Sequence, residues 1–171
     1  MQLRNIAGQA LVWFAFAAIL AALAQGPVFA PYEPDQALIK FSLAHLSQRL
    51  VPCRQLTEAE RQQLPPTRRA FEVCEGGRAP TVVVLRLNGE VLLELTIEPA
   101  GLRDEGRSYY LEYFPVPAGE HLLELALRDT PREQGYDLVR DFRLQLAGGE
   151  SALLEVGDDE VLLRRFPEGP A

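Results

Sequence analysis

The residues of this chain best suited to chemistry are two cysteines, Cys53 and Cys74, and two histidines, His45 and His121. An even pair of cysteines favours a disulfide when the protein lies in an oxidising compartment. The alternative is a metal site in which both thiolates act together with His45 or His121. Metals that prefer sulfur ligands generally take more donors or a C-x-x-C pair. We therefore expect a disulfide between Cys53 and Cys74 and no resident metal.

The sequence carries no motif of a catalytic or cofactor-binding class. It lacks C-x-x-C-H for covalent haem, G-x-S-x-G for a hydrolase and a Gly-rich phosphate loop before a helix. His45 and His121 are expected to be surface or edge residues of strands. Asp158-Asp159 is interpreted as a solvated turn, with a weak Ca²⁺ site as the less favoured alternative. We therefore expect a protein that is not an enzyme, with no catalytic residue and no cofactor.

The charge of the chain argues against nucleic acid as a partner. The formal net charge is -7 and the isoelectric point is near 4.9. A nucleic-acid surface needs clustered Lys and Arg side chains, whereas the acidic residues here are spread along the chain.

The N-terminal segment predicts export from the cytoplasm. Ile6–Ala24 contains no charged residue and would span roughly 28 Å as a helix, about the thickness of a hydrocarbon core. Arg4 precedes it, and Glu33 and Asp35 follow it. The positive-inside rule therefore places the body of the chain in the periplasm. Residues 1–25 are predicted to be a single-pass anchor in a bacterial inner membrane, with the N-terminus in the cytoplasm.

A cleaved signal peptide is the alternative, since Ala22-Leu23-Ala24 is an A-x-A cleavage site after an apolar run. If the helix is retained, small residues at helical spacing would let a partner helix approach closely in the bilayer. The residues predicted to form this packing surface are Ala17, Ala18, Ala21 and Ala22.

Alternation of apolar and polar residues predicts a series of short strands. Ile39, Phe41 and Leu43, for example, share one face of the first strand. Asn88-Gly89 predicts a tight hairpin, because both residues accept positive φ. The predicted strands are Ala37–His45, Thr81–Leu87, Val91–Ile97, Ser108–Phe114, His121–Arg128, Tyr136–Leu146, Ser151–Val156 and Val161–Phe166.

This spacing predicts the fold class. Short strands without helices between them leave no room for parallel crossovers. We expect an all-β fold, an antiparallel β-sandwich of immunoglobulin-like type over residues 37–167, preceded by a Pro-rich tether over residues 26–36.

One short helix interrupts the strands, between the two cysteines. Thr57 and Glu60 have the spacing of a capping box, and Pro65-Pro66 ends the helical pattern. The predicted helix covers residues 57–64. Its expected contacts with the domain are made by Leu56, Ala59 and Leu64.

A candidate partner-binding surface lies in and after the segment Pro99–Arg107. This connection is long for a hairpin, and aromatic residues with Arg, which are enriched at protein interfaces, occur in it and just after it. Core packing is the competing explanation, because one face of the following strand must be buried. The predicted contact residues are Leu102, Arg103, Arg107, Tyr109, Tyr110 and Tyr113.

Two resemblances add to these patterns. The run Val116–Leu125 reads VPAGEHLLEL. Together with the Leu87–Glu90 hairpin, it resembles the signature of PEGA-type surface β-sandwich modules. The whole chain also resembles a proteobacterial group of short membrane-anchored proteins found beside haem-copper oxidase components. That resemblance is carried by Lys40–Ser42, Cys53–Thr57, Leu64–Pro66, Cys74, Pro99–Leu102 and Pro117–His121. The chain departs from the group in lacking the basic residues that follow the second cysteine there.

The second resemblance implies an accessory or assembly role in respiration. We therefore expect a membrane-tethered protein that docks on a larger membrane complex, such as a haem-copper oxidase. The alternative is a free periplasmic binding module for a carbohydrate or a peptide after signal cleavage. The mass of the mature protein distinguishes the tethered protein from the free module, because a chain that begins at Gln25 has lost the anchor.

Overall fold

A computed structural model describes residues 2–24, 33, 35–68 and 71–166 of the chain. The chain divides into two compact units, residues 1–31 and residues 32–171. The first unit contains helix α1, Gln2–Ala24. On α1 every side chain from residue 8 to residue 24 is exposed, and the rings of Trp13 and Phe16 meet edge to face at 6.1 Å.

The described residues contain no helix with the length and hydropathy of a membrane span. The membrane anchor therefore stays a prediction, and so does the helix packing assigned to the four alanines of α1, which are exposed. Most of the tether predicted over residues 26–36 lies outside the described residues.

The second unit is mostly β, as predicted. Its helical elements are α2, Glu58–Gln63, and a 3₁₀ turn, Pro66–Arg68. Its strands are β1 (Gln36–His45), β2 (Arg54–Gln55), β3 (Glu72–Val73), β4 (Thr81–Leu87), β5 (Glu90–Ile97), β6 (Ser108–Pro117), β7 (Gly119–Arg128), β8 (Leu138–Leu146), β9 (Ser151–Val156) and β10 (Val161–Phe166).

The eight longer strands form two four-stranded sheets. Sheet I has the order β10-β9-β1-β6, and sheet II has the order β5-β4-β7-β8. The predicted hairpin joins β4 and β5 through Asn88 and Gly89, which have φ of 53° and 84°. Such a turn needs positive φ at both central residues.

One apolar core lies between the sheets. Sheet I contributes the inward side chains of β1, including Ile39 and Phe41, and sheet II contributes those of β4, β7 and β8, including Leu85 and Leu125. All four side chains are fully buried. Buried and partly buried residues alternate strictly along β1, because successive side chains point to opposite faces of a strand.

The prediction that no strands pair in parallel is wrong at one place. β1 pairs with β9 in parallel, with Leu38 beside Ser151 and Leu43 beside Val156. No crossover helix is needed, because the intervening chain runs through strands of both sheets before it returns as β9. All other pairs in both sheets are antiparallel.

β6 runs three residues beyond its predicted end at Phe114 and includes two prolines. Pro115 faces Leu38, and Pro117 faces Gln36, in a continuous ladder with β1. Proline is tolerated here because β6 is an edge strand of sheet I, where one side of the backbone needs no partner.

Cys53 and Cys74 form the predicted disulfide. They flank the short ladder of β2 with β3, in which Arg54 faces Val73. The sequence did not predict this ladder. Cys53–Cys74 is called the closed segment below.

The predicted capping box of α2 is present. The Thr57 side chain accepts a hydrogen bond from the backbone N–H of Glu60, and the Glu60 carboxylate accepts one from the N–H of Thr57. The predicted contact through Ala59 is wrong, because Ala59 is exposed and α2 has no buried residue. Leu56 and Leu64 are partly buried. The disulfide and the β2–β3 ladder hold the segment closed, so the helix needs no apolar face.

Candidate partner-binding face

The outer face of sheet I is largely apolar. On β6, Tyr109, Leu111 and Tyr113 point away from the core and are 62%, 55% and 47% exposed. The ladder with β1 sets them beside Ala44, Ser42 and Lys40. The face continues across β9 and β10, and we call it the apolar face. Its further members are Leu38, Pro115, Leu153, Glu155, Leu162, Arg164 and Phe166.

The alternation of β6 separates its aromatic residues into two groups. Tyr109 and Tyr113 belong to the apolar face, as predicted for a contact surface. Tyr110 does not, because it faces the core, where its ring lies 6.4 Å from that of Phe41. Its hydroxyl donates a hydrogen bond to the Glu112 carboxylate at 2.9 Å. Burial, and then this carboxylate, raise the pKa of Tyr110.

The loop between β5 and β6 carries the other predicted contact residues. Leu102 is fully exposed, and Arg103 is exposed beside it. Arg107 instead pairs with the Asp158 carboxylate at 2.6 Å. Because Asp158 also accepts from the N–H of Leu46, Arg107 has a structural role in tying the loop to the end of β1.

Arg78 fixes the same loop from the other side. Its backbone N–H donates to the carbonyl of Asp104, and its guanidinium donates to the carbonyl of Glu105 at 3.0 Å. Burial, and then the neighbouring Arg49, lower the pKa of Arg78. These contacts anchor the base of the loop, and Leu102 and Arg103 extend from it into solvent.

The outer face of sheet II differs in its chemistry. The ladders of β4, β5, β7 and β8 bring charged side chains to this face on every strand. They include Arg86, Glu94, Glu124, Asp141 and Arg143, most of them exposed. The largest exposed apolar side chain on β8 is Val139, at 62%.

The histidines are more buried than predicted, and both are fully engaged. Nδ1 of His45 lies 2.8 Å from the carbonyl oxygen of Gly157, and Nε2 lies 2.7 Å from the Asp129 carboxylate. Nε2 of His121 donates to the Pro117 carbonyl at 2.8 Å, and Nδ1 accepts from the Asn88 amide. With both ring nitrogens engaged, each histidine cross-links neighbouring turns and strand ends.

A cleft of about 470 Å³ lies beside His45, at the end of the sandwich. Carboxylates of Asp129, Asp137 and Asp158 line it. Burial alone would raise the pKa of Asp137, but the N–H of Asp129, the hydroxyl of Thr130 and the guanidinium of Arg132 lower it overall. Asp129, Asp137 and Asp158 are thus held by the protein itself.

The cysteines do not offer metal ligands in this state. Among the described residues, one group of side chains has the proximity of a metal site: Cys53, Cys74 and Glu72, whose ligand atoms lie within 4.8 Å of one another. Both sulfurs are in the disulfide, whereas a metal site would need them as thiolates. The disulfide interpretation is therefore confirmed over the metal alternative for this structure.

The sequence predicted one edge of the apolar face, on β6, but not the rest of the face. Tyr109 and Tyr113 on β6 were predicted, but Leu111, Lys40 and Leu153 were not. Along each of these strands, the alternation of apolar and polar residues was predicted correctly. The missing information was the strand order β10-β9-β1-β6, which brings separate stripes into one surface.

Comparison of the chain with protein-family models, with curated proteins and with solved structures finds no match.

Proposed function

We propose that this chain is a non-enzymatic accessory or assembly protein, tethered to a bacterial inner membrane, whose periplasmic β-sandwich docks on a larger membrane complex. The observation that carries the proposal is the apolar face of sheet I, opposite a charged outer face on sheet II. Contiguous exposed apolar and aromatic surfaces are typical of protein-binding sites. A haem-copper oxidase is the complex that the resemblance of the sequence suggests.

The composition and exposure of α1 support the tether. Leu11, Trp13 and Phe14 are each at least 70% exposed, and no charge interrupts Ile6–Ala24. A helix that is apolar all round is stable where lipid or protein surrounds it. Arg4 before the apolar run and Glu33 after it favour a periplasmic location for the sandwich.

The fold itself suits a docking module. A β-sandwich of PEGA-like or immunoglobulin-like type offers a rigid sheet face, so few side chains need to be ordered on binding.

A pair of matched substitutions tests the docking surface. Leu111→Arg places an unpaired charge in the apolar face, and Val139→Arg places the same charge on the outer face of sheet II. Full-length protein is extracted from native membranes in mild detergent, and copurification of a haem-copper oxidase is measured. We expect wild-type protein and Val139→Arg to copurify with the oxidase and Leu111→Arg to lose it, since an unpaired charge in a buried interface is strongly unfavourable.

A clean monomer of the wild-type protein after mild extraction would overturn the proposal. Equal copurification by both variants would also overturn the assignment of the face. The mass of the mature protein, which shows where the chain begins, is measured on the same sample. A chain that begins at Gln25 would favour the free periplasmic binding module over the tethered one.

A further inference from the structure

Lys40 lies in the middle of the apolar face. It is the only lysine of the chain, and it sits on the central strand β1 between two apolar neighbours. Tyr113 faces it from β6, and Leu153 faces it from β9. Ile39 and Phe41, before and after it, are buried in the core, so the Lys40 side chain points outward.

The ammonium group of Lys40 has no anionic partner within the described part of the chain. It forms no ion pair and no side-chain hydrogen bond there. The carboxylate of Glu155 is on the same face, beside Ser42, but its ion-pair partner is Arg164 on β10, at 3.8 Å. Lys40 is partly exposed, so water can hydrate its ammonium group while the face is uncovered.

A partner that covers the face removes that water. A buried ammonium group without an anion is strongly unfavourable, whereas an ammonium paired with a carboxylate is tolerated. The side chains directly beside Lys40 on this face, those of Tyr113, Leu153 and Leu38, are uncharged, and the nearby Glu155 carboxylate is paired with Arg164. We therefore expect the complementary charge to come from the other molecule.

We propose that the partner covers the apolar face with an apolar protein surface that places one Asp or Glu carboxylate against Nζ of Lys40. This inference rests on the proposed docking function and names the chemistry of the partner at the centre of the contact. The apolar surroundings provide most of the buried area, and the single charge pair fixes the position of the partner, because a misplaced partner leaves two charges unpaired.

Carbodiimide cross-linking tests the proposal directly. The reagent activates a carboxylate, and a primary amine in contact then forms an amide with it. Native membranes containing the full chain are treated, and cross-linked peptides are mapped by mass spectrometry. We expect an amide between Lys40 and an Asp or Glu of the copurifying complex.

Two variants of Lys40 complete the test. Lys40→Arg keeps the charge but loses the primary amine, so it should copurify with the complex without cross-linking. Lys40→Met leaves the partner's carboxylate unpaired and should weaken copurification by roughly thirtyfold or more.

Three results would overturn the inference. The first is an amide from Lys40 to Glu155 of the same chain, and the second is one to Glu155 of a second copy. The third combines two observations: Lys40→Met copurifies with the complex as well as wild-type protein does, and wild-type protein gives no cross-link at Lys40. If Leu111→Arg still abolishes copurification in that third case, docking through the face stands and only the charge pair fails. If no variant affects copurification, the assignment of the docking surface to this face fails with it.

Discussion

The sandwich and the closed segment are held together by different forces. In the sandwich, Phe41, Leu85 and Leu125 are fully buried in one core shared by both sheets. In the closed segment, Cys53–Cys74, α2 buries no residue, and the aromatic side chain of Phe71 is 77% exposed. There a disulfide, a two-residue ladder and a capping box replace apolar burial.

This difference shows how a chain can include a polar segment outside its core without enlarging the core. Apolar burial stabilises a region in proportion to the area removed from water. A disulfide instead restricts the unfolded chain, so it can stabilise a segment with few apolar contacts. The sandwich should therefore respond to loss of volume, and the closed segment to loss of a covalent bond or a cap.

The largest effect is expected from Phe41→Ala. Removing this fully buried ring leaves a cavity in the core and should lower the free energy of unfolding by about 3–5 kcal/mol. The measurement is urea unfolding followed by circular dichroism, on a chain that begins at residue 31. Phe71→Ala is the matched control in the closed segment, where the ring is exposed beside Arg61 at 4.9 Å.

Phe71→Ala should cost about 1 kcal/mol or less, because it removes little more than a cation–π contact. Equal losses for the two phenylalanines would mean that the closed segment has a core of its own. The circular dichroism spectrum itself should be β-rich, and a helix-dominated spectrum would contradict the sandwich.

A smaller and more local effect is expected when Cys53 and Cys74 are both replaced by Ser. Losing the bond should destabilise the closed segment by about 2–4 kcal/mol. Trypsin should then cleave after Arg61, while Arg86 in β4 stays protected. The premise is checked by intact mass after alkylation of the oxidised wild-type protein, which should show no free thiol. Two alkylated cysteines, or one bound metal per chain, would contradict it.

The N-cap of α2 should contribute less to stability than the disulfide does. Thr57→Ala removes the acceptor for the N–H of Glu60 and should destabilise the helix by about 1 kcal/mol. Hydrogen exchange of the Arg61 amide, which donates to the Thr57 carbonyl at 3.0 Å, reports on the helix. Thr67→Ala, in the exposed 3₁₀ turn, is the control. Faster exchange in both variants would mean that the capping box has no particular role.

The smallest effect is a pH dependence confined to the same helix. The N–H of Thr57, then its hydroxyl and the guanidinium of Arg54, lower the pKa of Glu60 from 4.5. A carboxyl with a lowered pKa in the folded state stabilises that state above its unfolded pKa. The contribution is lost as the pH falls through the lower, folded value. Protection of the Arg61 amide should therefore decline below pH 4.5 in wild-type protein.

Glu60→Gln is the control for that decline, because its side chain does not titrate. Protection of the Arg61 amide in this variant should be lower than in wild-type protein at neutral pH and should not show the Glu60-dependent decline. Identical profiles for the two proteins would remove Glu60 as the cause.

Local patterns were sufficient to predict the eight longer strands, the hairpin and the helix. The predicted span Val161–Phe166 matches β10, and Thr57 is the N-cap of α2 as expected. These features depend on neighbours in the sequence, since alternation and capping act over a few residues.

Long-range pairing was beyond the same patterns. Tyr109 and Tyr110 are adjacent and equally aromatic, and only the register with β1, which sets Tyr110 beside Leu43, decides which ring is buried. The parallel partner of β1 was missed for a related reason. No residue near Leu38 in the sequence indicates that Leu38 pairs with Ser151, because Ser151 lies near the other end of the domain in the sequence.

The parallel pair of β1 and β9 has a consequence for the order of folding. β1 is the first strand of the domain to be made, yet its place between β6 and β9 is complete only when Val156 has been made. Contacts between residues so distant in sequence slow folding. Sheet I therefore closes late, and until then an apolar strand has an unpaired edge. This edge exposes the newly made chain to aggregation, so we expect the chain to depend on a chaperone that shields β1 until β9 has been made.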